Sequence, residues 1–266
     1  AKITEKVMDH CPQLKYVVRY GVGLDTIDIP AATKHGILVG NVPDYGMNEV
    51  ADHAIALSLS MLRKIVEMNE YTKEEKWDYT KAIPVHRFSQ LTCGVVGLGR
   101  IGRKFEKKMN ALGFYVIGYD PYFKPDEETD LYVKSVPFED VVQQSDIISI
   151  HCPADGNMNL FNEKVFKKMK DTAILINVAR GGIINENDLE KALSDHQIGG
   201  ACLDCMLGEP VDKDSPLFKF DNVIVTPHMA WYSEEASQEL KRKVAEESVR
   251  FLRGEPIHYP ANKVIG

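Results

Sequence analysis

Three short segments follow one another in the second half of the chain: Asn177-Val-Ala-Arg180-Gly-Gly182, Leu203-Asp-Cys-Met-Leu-Gly-Glu209-Pro210 and Thr226-Pro-His228. Between them they supply a guanidinium, a carboxylate and an imidazole. A guanidinium grips a carboxylate through two parallel N–H bonds. An imidazole moves a proton near neutral pH, and a carboxylate beside it holds the ring and favours its cation. These are the groups that hydride chemistry on a 2-keto or 2-hydroxy acid needs.

Ahead of them lies Gly97-Leu-Gly99-Arg-Ile-Gly102, with an apolar strand pattern over 92–96 before it and a helical pattern over 101–112 after it. The next strand ends in Asp120, eighteen residues after Gly102. Glycines alone are a weak signal, but this context defines a dinucleotide fingerprint. Gly97 permits the tight turn, Gly99 lets a pyrophosphate approach the backbone, and Gly102 lets helix pack on strand. The pyrophosphate then meets the positive end of the helix dipole, and Arg100 adds a side chain. Asp120 is placed to accept hydrogen bonds from the adenosine ribose. Its charge repels a 2′-phosphate, so NAD is expected rather than NADP.

With these four motifs in order, the chain resembles the D-isomer-specific 2-hydroxyacid dehydrogenases over essentially its whole length. The resemblance implies a catalytic set of Arg180, Glu209 and His228. It implies cofactor contacts from Gly97, Gly99, Arg100, Ile101, Gly102 and Asp120. Further contacts come from His151-Cys152-Pro153, a loop passing over the cofactor, from Val178, Ala179 and Arg180, and from Asp204, His228 and Ala230. Asp204 would face the nicotinamide carboxamide or orient nearby groups. Substrate contacts would come from Arg180, His228, Trp231 and the turn Tyr20-Gly-Val22-Gly23. The expected activity is interconversion of a D-2-hydroxy acid and its 2-keto acid with NAD, in a homodimer paired through a helix over 49–77. The run Met229-Ala-Trp231-Tyr-Ser is similar to the C-terminal-binding-protein branch, where a tryptophan borders the substrate pocket. That likeness raises a second reading: a dinucleotide-sensing, corepressor-like interaction protein with weak or no dehydrogenase activity.

Positioning these groups requires an α/β framework. Near-continuous apolar runs at 92–96, 114–119, 146–151, 173–178, 200–203 and 223–226 read as six strands. Helical patterns at 101–112, 138–144, 163–169 and 186–194 separate them, with Asn162 and Asn185 as N-caps. Such alternation gives a doubly wound parallel sheet, a Rossmann cofactor domain. Upstream, strands at 14–18 and 37–42 flank a short helix at 31–35 stopped by Gly36. From 49 to about 77, Val50, Ala54, Leu57, Met61, Ile65 and Met68 recur at spacings of three and four, which reads as one long amphipathic helix. A charged amphipathic helix over 233–252 closes the chain. The division expected is an NAD-binding domain over 47–232 and a smaller, discontinuous flavodoxin-like substrate domain of 1–46 plus 233–266. The family's smaller domain begins with a strand–helix–strand unit of on the order of 30 residues. That unit has no counterpart here, so the chain reads as truncated at its N-terminus, with its first strands missing.

Composition narrows the classes. With 32 basic and 39 acidic residues the net charge is −7 and no basic cluster stands out, which argues against nucleic acid or an anionic membrane as partner. No apolar run approaches the roughly 18 residues of a membrane span, and the first residues do not read as a signal peptide, so a cytoplasmic protein is expected. The five cysteines, at 11, 93, 152, 202 and 205, read as small buried residues in a reducing compartment. Cys202 and Cys205 form a C-x-x-C without further ligands at zinc spacing, and no metal is implied.

Overall fold

Helix α1 (Glu5–Asp9), strand β1 (Tyr16–Val18), helix α2 (Ile29–Lys34) and strand β2 (Leu38–Gly40) open the chain. The computed structural model describes residues 2–123 and 133–264. Strands β1 and β2 pair in parallel, Tyr16 opposite Leu38 and Val18 opposite Gly40. Asp28 caps α2 by accepting from the Ala31 N–H at 3.0 Å, and Gly36, at φ +68°, follows its end. Helix α1 has no counterpart in the sequence reading, because five residues are too few to display a helical period.

The expected single helix over 49–77 is two helices, α3 (Met47–Leu62) and α4 (Ile65–Lys73). Lys64 adopts φ +52° between them, a left-handed conformation that ends a helix. Ile65 and Met68 keep the three-and-four spacing across this break, which is why the pattern reads as continuous. The two helices also differ in burial: α3 buries Ala51, Ala54, Leu57 and Ser58, whereas α4 buries nothing.

Strands and helices then alternate: β3 (Thr92–Val96), α5 (Arg100–Ala111), β4 (Tyr115–Tyr119), β5 (Lys134–Ser135), α6 (Phe138–Gln144), β6 (Ile147–Ile150), α7 (Glu163–Phe166), β7 (Ile174–Asn177), α8 (Glu186–Ser194), β8 (Gly200–Leu203) and β9 (Val223–Val225). Asn162 and Asn185 cap α7 and α8 by accepting from the N–H groups of Lys164 and Asp188. The strands form one parallel sheet in the order β5-β4-β3-β6-β7-β8-β9. Among the described residues it has seven strands rather than six. The additional one, β5, is two exposed polar residues on the edge, without the apolar run that marks the others. One face of the sheet shares a core with α3 and α5, including Ala54, Leu57, Val95, Phe105 and Met109. The other face packs with α6, α7 and α8 through Val141, Phe161, Phe166, Leu189 and Leu193. Each fully buried valine, leucine, phenylalanine or methionine among these contributes roughly 1.5–3 kcal/mol relative to exposure.

Helix α9 (Glu234–Leu252) starts at Ser233, whose hydroxyl accepts from the Ala236 N–H at 2.9 Å. The C-terminal segment returns to the first strands. Phe251 stacks on Tyr16 with ring centroids 4.6 Å apart, Gly40 bridges Pro260, and the Ala261 N–H donates to the Val39 carbonyl. Met8, Ile27, Ala31, Ala32, Ile37 and Val39 form the core there. The chain thus divides into two compact units, Ala1–Gly46 with Tyr232–Gly266, and Met47–Trp231. Among the described residues no helix is long and apolar enough to cross a membrane.

Candidate functional site

All seven strands of the larger unit run the same way, so their carboxyl ends lie along one edge of the sheet. Arg180 follows β7, Asp204 and Glu209 follow β8, and His228 follows β9, three strands that are neighbours in that order. Segments far apart in sequence are thereby brought to one edge. The chain reverses its direction across the sheet between β3 and β6, which makes a crevice at their carboxyl ends. The glycine fingerprint follows β3, Asp120 follows β4 and His151 follows β6.

His228 and Glu209 meet directly. His228 Nδ1 lies 2.6 Å from Glu209 Oε2, and the side chains remain 42% and 34% exposed. The carboxylate occupies Nδ1, so Nε2 is the ring nitrogen left to serve a reactant. Glu209 Oε1 accepts from the Met206 N–H at 3.0 Å, which fixes the carboxylate against its own turn. That turn packs on Gly181: a Cβ there would meet the Met206 carbonyl carbon at 2.2 Å, so any side chain would push the Glu209 loop away. Glu186, at the start of α8, accepts from the Leu207 N–H at 2.5 Å. Burial pushes the Glu186 carboxyl up, and the nearby Glu209 charge adds to this against the opposing effect of the Leu207 bond.

Asp204 lies behind this pair. Its side chain has no exposed surface. Oδ1 accepts from the Thr226 hydroxyl at 2.6 Å and from the Met229 N–H at 2.9 Å, and Oδ2 accepts from the Ala230 N–H at 2.9 Å. Of the two roles the resemblance implied, this geometry fits the orienting one: Asp204 ties the Thr226 side chain ahead of His228 to the backbone N–H groups after it and presents no free surface to a cofactor. His228 itself has φ +50°, which a non-glycine residue adopts at about 1–3 kcal/mol. Its N–H donates to the Thr226 carbonyl, and its own carbonyl accepts from the Trp231 indole at 3.1 Å. Trp231 thus braces the histidine loop. Thr226 carries no signal in the sequence beyond its place before Pro227.

Arg180 is half-buried, its Nη1 donating to the Ala179 carbonyl at 2.7 Å while Asn177 Nδ2 holds the Arg180 carbonyl at 2.9 Å. Cys205 Sγ donates to the same Ala179 carbonyl at 3.4 Å. It also lies with a Glu209 oxygen and a His228 nitrogen in a group whose atoms are all within 4.8 Å of one another. Burial pushes the Cys205 thiol up, the charges of Asp204 and Glu209 add to this, and Arg180 opposes them. Cys205 therefore links the arginine segment to the acid–base pair, a placement the sequence did not reveal. Cys202 and Cys205 are both buried free thiols, and Cys202 Sγ reaches the Leu57 carbonyl instead.

The nucleotide half is built on the fingerprint. A Cβ on Gly102 would sit 1.9 Å from the Gly97 carbonyl oxygen, so only glycine lets α5 start this close to β3. At Gly99 a Cβ would meet nothing within 4 Å, and no side chain caps the start of α5, which leaves its first N–H groups without a side-chain acceptor. That is the arrangement a pyrophosphate requires, with Arg100 exposed and Ile101 half-buried beside it. Asp120 accepts from the Leu98 N–H at 2.9 Å through Oδ2 and from the Tyr122 N–H at 2.8 Å through Oδ1. Its carboxylate belongs to the glycine loop and keeps lone pairs for a ribose. The residues present fit a bound dinucleotide. His151 lies beneath the loop, its Nε2 2.9 Å from Ser149 Oγ and its ring against Phe105, and burial pushes it down to about 3, which keeps it neutral. Cys152 is half-buried and Pro153 exposed, Val178 and Ala230 are buried, and Ala179 is half-buried. Val22 and Gly23 belong to the smaller unit, where Asn41 and Arg19 hold their carbonyls at 2.8 and 3.1 Å.

A parallel sheet with a glycine-rich crossing at its switch point defines a dinucleotide-binding α/β protein. Residues 55–230 match the family model for the NAD binding domain of D-isomer specific 2-hydroxyacid dehydrogenases, and the chain belongs to that family. It is 38% identical over 262 residues to D-3-phosphoglycerate dehydrogenase of Archaeoglobus fulgidus, covering 98% of this chain and 50% of that protein. It is 36% identical over 261 residues to glyoxylate reductase of Korarchaeum cryptofilum, covering 95% and 77%. The chain therefore spans about half the length of the phosphoglycerate dehydrogenase. Among solved structures, D-lactate dehydrogenase from Aquifex aeolicus, complexed with NAD and lactic acid, superposes with a TM-score of 0.89 at 28% identity, covering 96% of this chain and 81% of that one. These relatives are dehydrogenases and a reductase, which does not favour the corepressor-like reading.

Proposed function

We propose that the protein is an NAD-dependent oxidoreductase that interconverts a small D-2-hydroxy acid and its 2-keto acid. The observation that carries the reading is the 2.6 Å pairing of His228 with Glu209 at the strand edge that also bears Arg180. The dinucleotide, held by the α5 N-terminus and Asp120, supplies hydride to C2 or accepts it. In reduction, protonated His228 donates from Nε2 to the C2 oxygen, and in oxidation neutral His228 takes that proton back. Glu209 holds the ring through Nδ1. Arg180 grips the acid and polarises the C2 oxygen, a positioning and electrostatic contribution. Oxidation of NADH with a panel of 2-keto acids tests the reading, and a protein that binds NADH yet turns over none of them refutes it.

The same reading extends to assembly. Helix α4 buries nothing, and Ile65, Val66, Trp77, Tyr79 and Ile83 are exposed large apolar groups on it and just after it. A homodimer paired through α3, α4 and this segment would cover them, and sedimentation equilibrium showing only monomer would refute that pairing. Five free cysteines suit the reducing cytoplasm.

A further inference from the structure

His53 lies on α3, outside every motif that marks the site. Its Nε2 is 3.0 Å from Thr226 Oγ1 and 3.6 Å from Asp204 Oδ1, and its side chain is 19% exposed. Donor arithmetic fixes the direction of this contact. A threonine hydroxyl has one proton, and that of Thr226 goes to Asp204 Oδ1. Thr226 Oγ1 can then only accept from the ring, so His53 Nε2 carries a proton. The result is a chain running from His53 Nε2–H to Thr226 Oγ1, from the Thr226 hydroxyl to Asp204, and from the Met229 and Ala230 N–H groups to the same carboxylate. His228, at φ +50°, stands between Thr226 and Met229.

We propose that His53 is a positioning residue for His228, acting through Thr226 and Asp204. This rests on the reading of His228 as the proton-transfer group. A buried carboxylate without exposed surface depends on its donors, and bonds in such a chain strengthen one another. Removing the His53 donor weakens the Thr226–Asp204 bond, and with it the clamp that holds His228 in its left-handed conformation. His53 touches neither reactant nor cofactor; its effect is on where the His228 ring stands.

Three variants test this: His53→Leu and Thr226→Val remove the donor or the relay, and His53→Gln keeps an N–H donor. In His53→Leu and Thr226→Val, amide hydrogen exchange at Met229 and Ala230 should quicken on the order of tenfold, the effect of about one lost hydrogen bond. Core amides of β3 and β6 should keep their wild-type rates. Turnover should fall roughly tenfold while the KM for NADH stays put, and His53→Gln should recover most of both losses. Wild-type exchange at Met229 and Ala230 in His53→Leu overturns the proposal. So does a uniform acceleration across the core strands, or a Gln variant as impaired as the Leu variant. Local acceleration in a protein whose His228→Ala variant keeps full activity would support the clamp and refute the catalytic reading instead, so the two fail separately.

Discussion

His228 Nδ1 and Glu209 Oε2 stand 2.6 Å apart on loops that leave two neighbouring parallel strands, β9 and β8. The pairing settles which ring nitrogen is available, because the one facing the carboxylate is taken. In the proposed reaction it also divides the labour: His228 moves a proton, and Glu209 keeps the ring aimed. His228→Ala should therefore abolish turnover by a factor of roughly 10²–10⁴, the usual contribution of a general acid–base group. NADH binding, followed by fluorescence, should stay close to wild type. Undiminished turnover would remove His228 from the reaction.

Glu209→Gln leaves the shape of the pair and deletes its charge. The carboxylate aims the His228 ring through Nδ1, and an amide offers that nitrogen an NH2 group as readily as an oxygen, so the ring is held less firmly. The kcat for keto-acid reduction should therefore fall on the order of tenfold in this variant, while the KM for NADH stays put. A kcat that stays at the wild-type value would mean that the 2.6 Å contact does not act during turnover.

Arg180→Lys keeps one positive charge but loses the planar fork that matches a carboxylate. Both a higher KM for the keto acid and a lower kcat are expected, since the residue is assigned to grip and polarisation together. Wild-type kinetics would reduce Arg180 to a loop residue that hydrogen-bonds Ala179.

These groups were legible in the sequence because each sits within a few residues of a strand end, where apolar runs and glycines mark the place. The supporting contacts were not. Thr226 meets Asp204 across 22 residues and His53 meets Thr226 across 173, and no local pattern encodes a pairing that only the sheet order creates. The break at Lys64 escaped for the opposite reason: Ile65 continues the period of α3 on the far side of a residue with φ +52°. Strand β5 escaped because Lys134 and Ser135 are polar, exposed and only two. Asp204 could be placed at the end of its strand, but only the packing shows that its carboxylate points into the protein.

Asp120 accepts from the Leu98 N–H inside the fingerprint, so its replacement acts on the loop as well as on cofactor choice. Asp120→Ala should raise the KM for NADH and at the same time narrow the preference for NAD over NADP, because a negative charge no longer opposes a 2′-phosphate. The ratio of kcat/KM values for the two cofactors is the measurement. A wild-type preference for NADPH would refute the assignment.

His151 gives the larger unit an acid sensitivity of its own. Burial holds its ring at about 3 against an ordinary 6.5, with Ser149 as its hydrogen-bond partner. As pH falls through 6.5 the unfolded chain takes up a proton that the folded ring refuses. Stability is thus fully kept above that value and lost progressively as pH drops towards 3. His151→Gln keeps a polar partner for Ser149 but cannot titrate. Its melting temperature should fall less than that of the wild type between about pH 7 and about pH 5. Equal falls in the two proteins would place the acid sensitivity elsewhere and return His151 to an ordinary, solvated histidine.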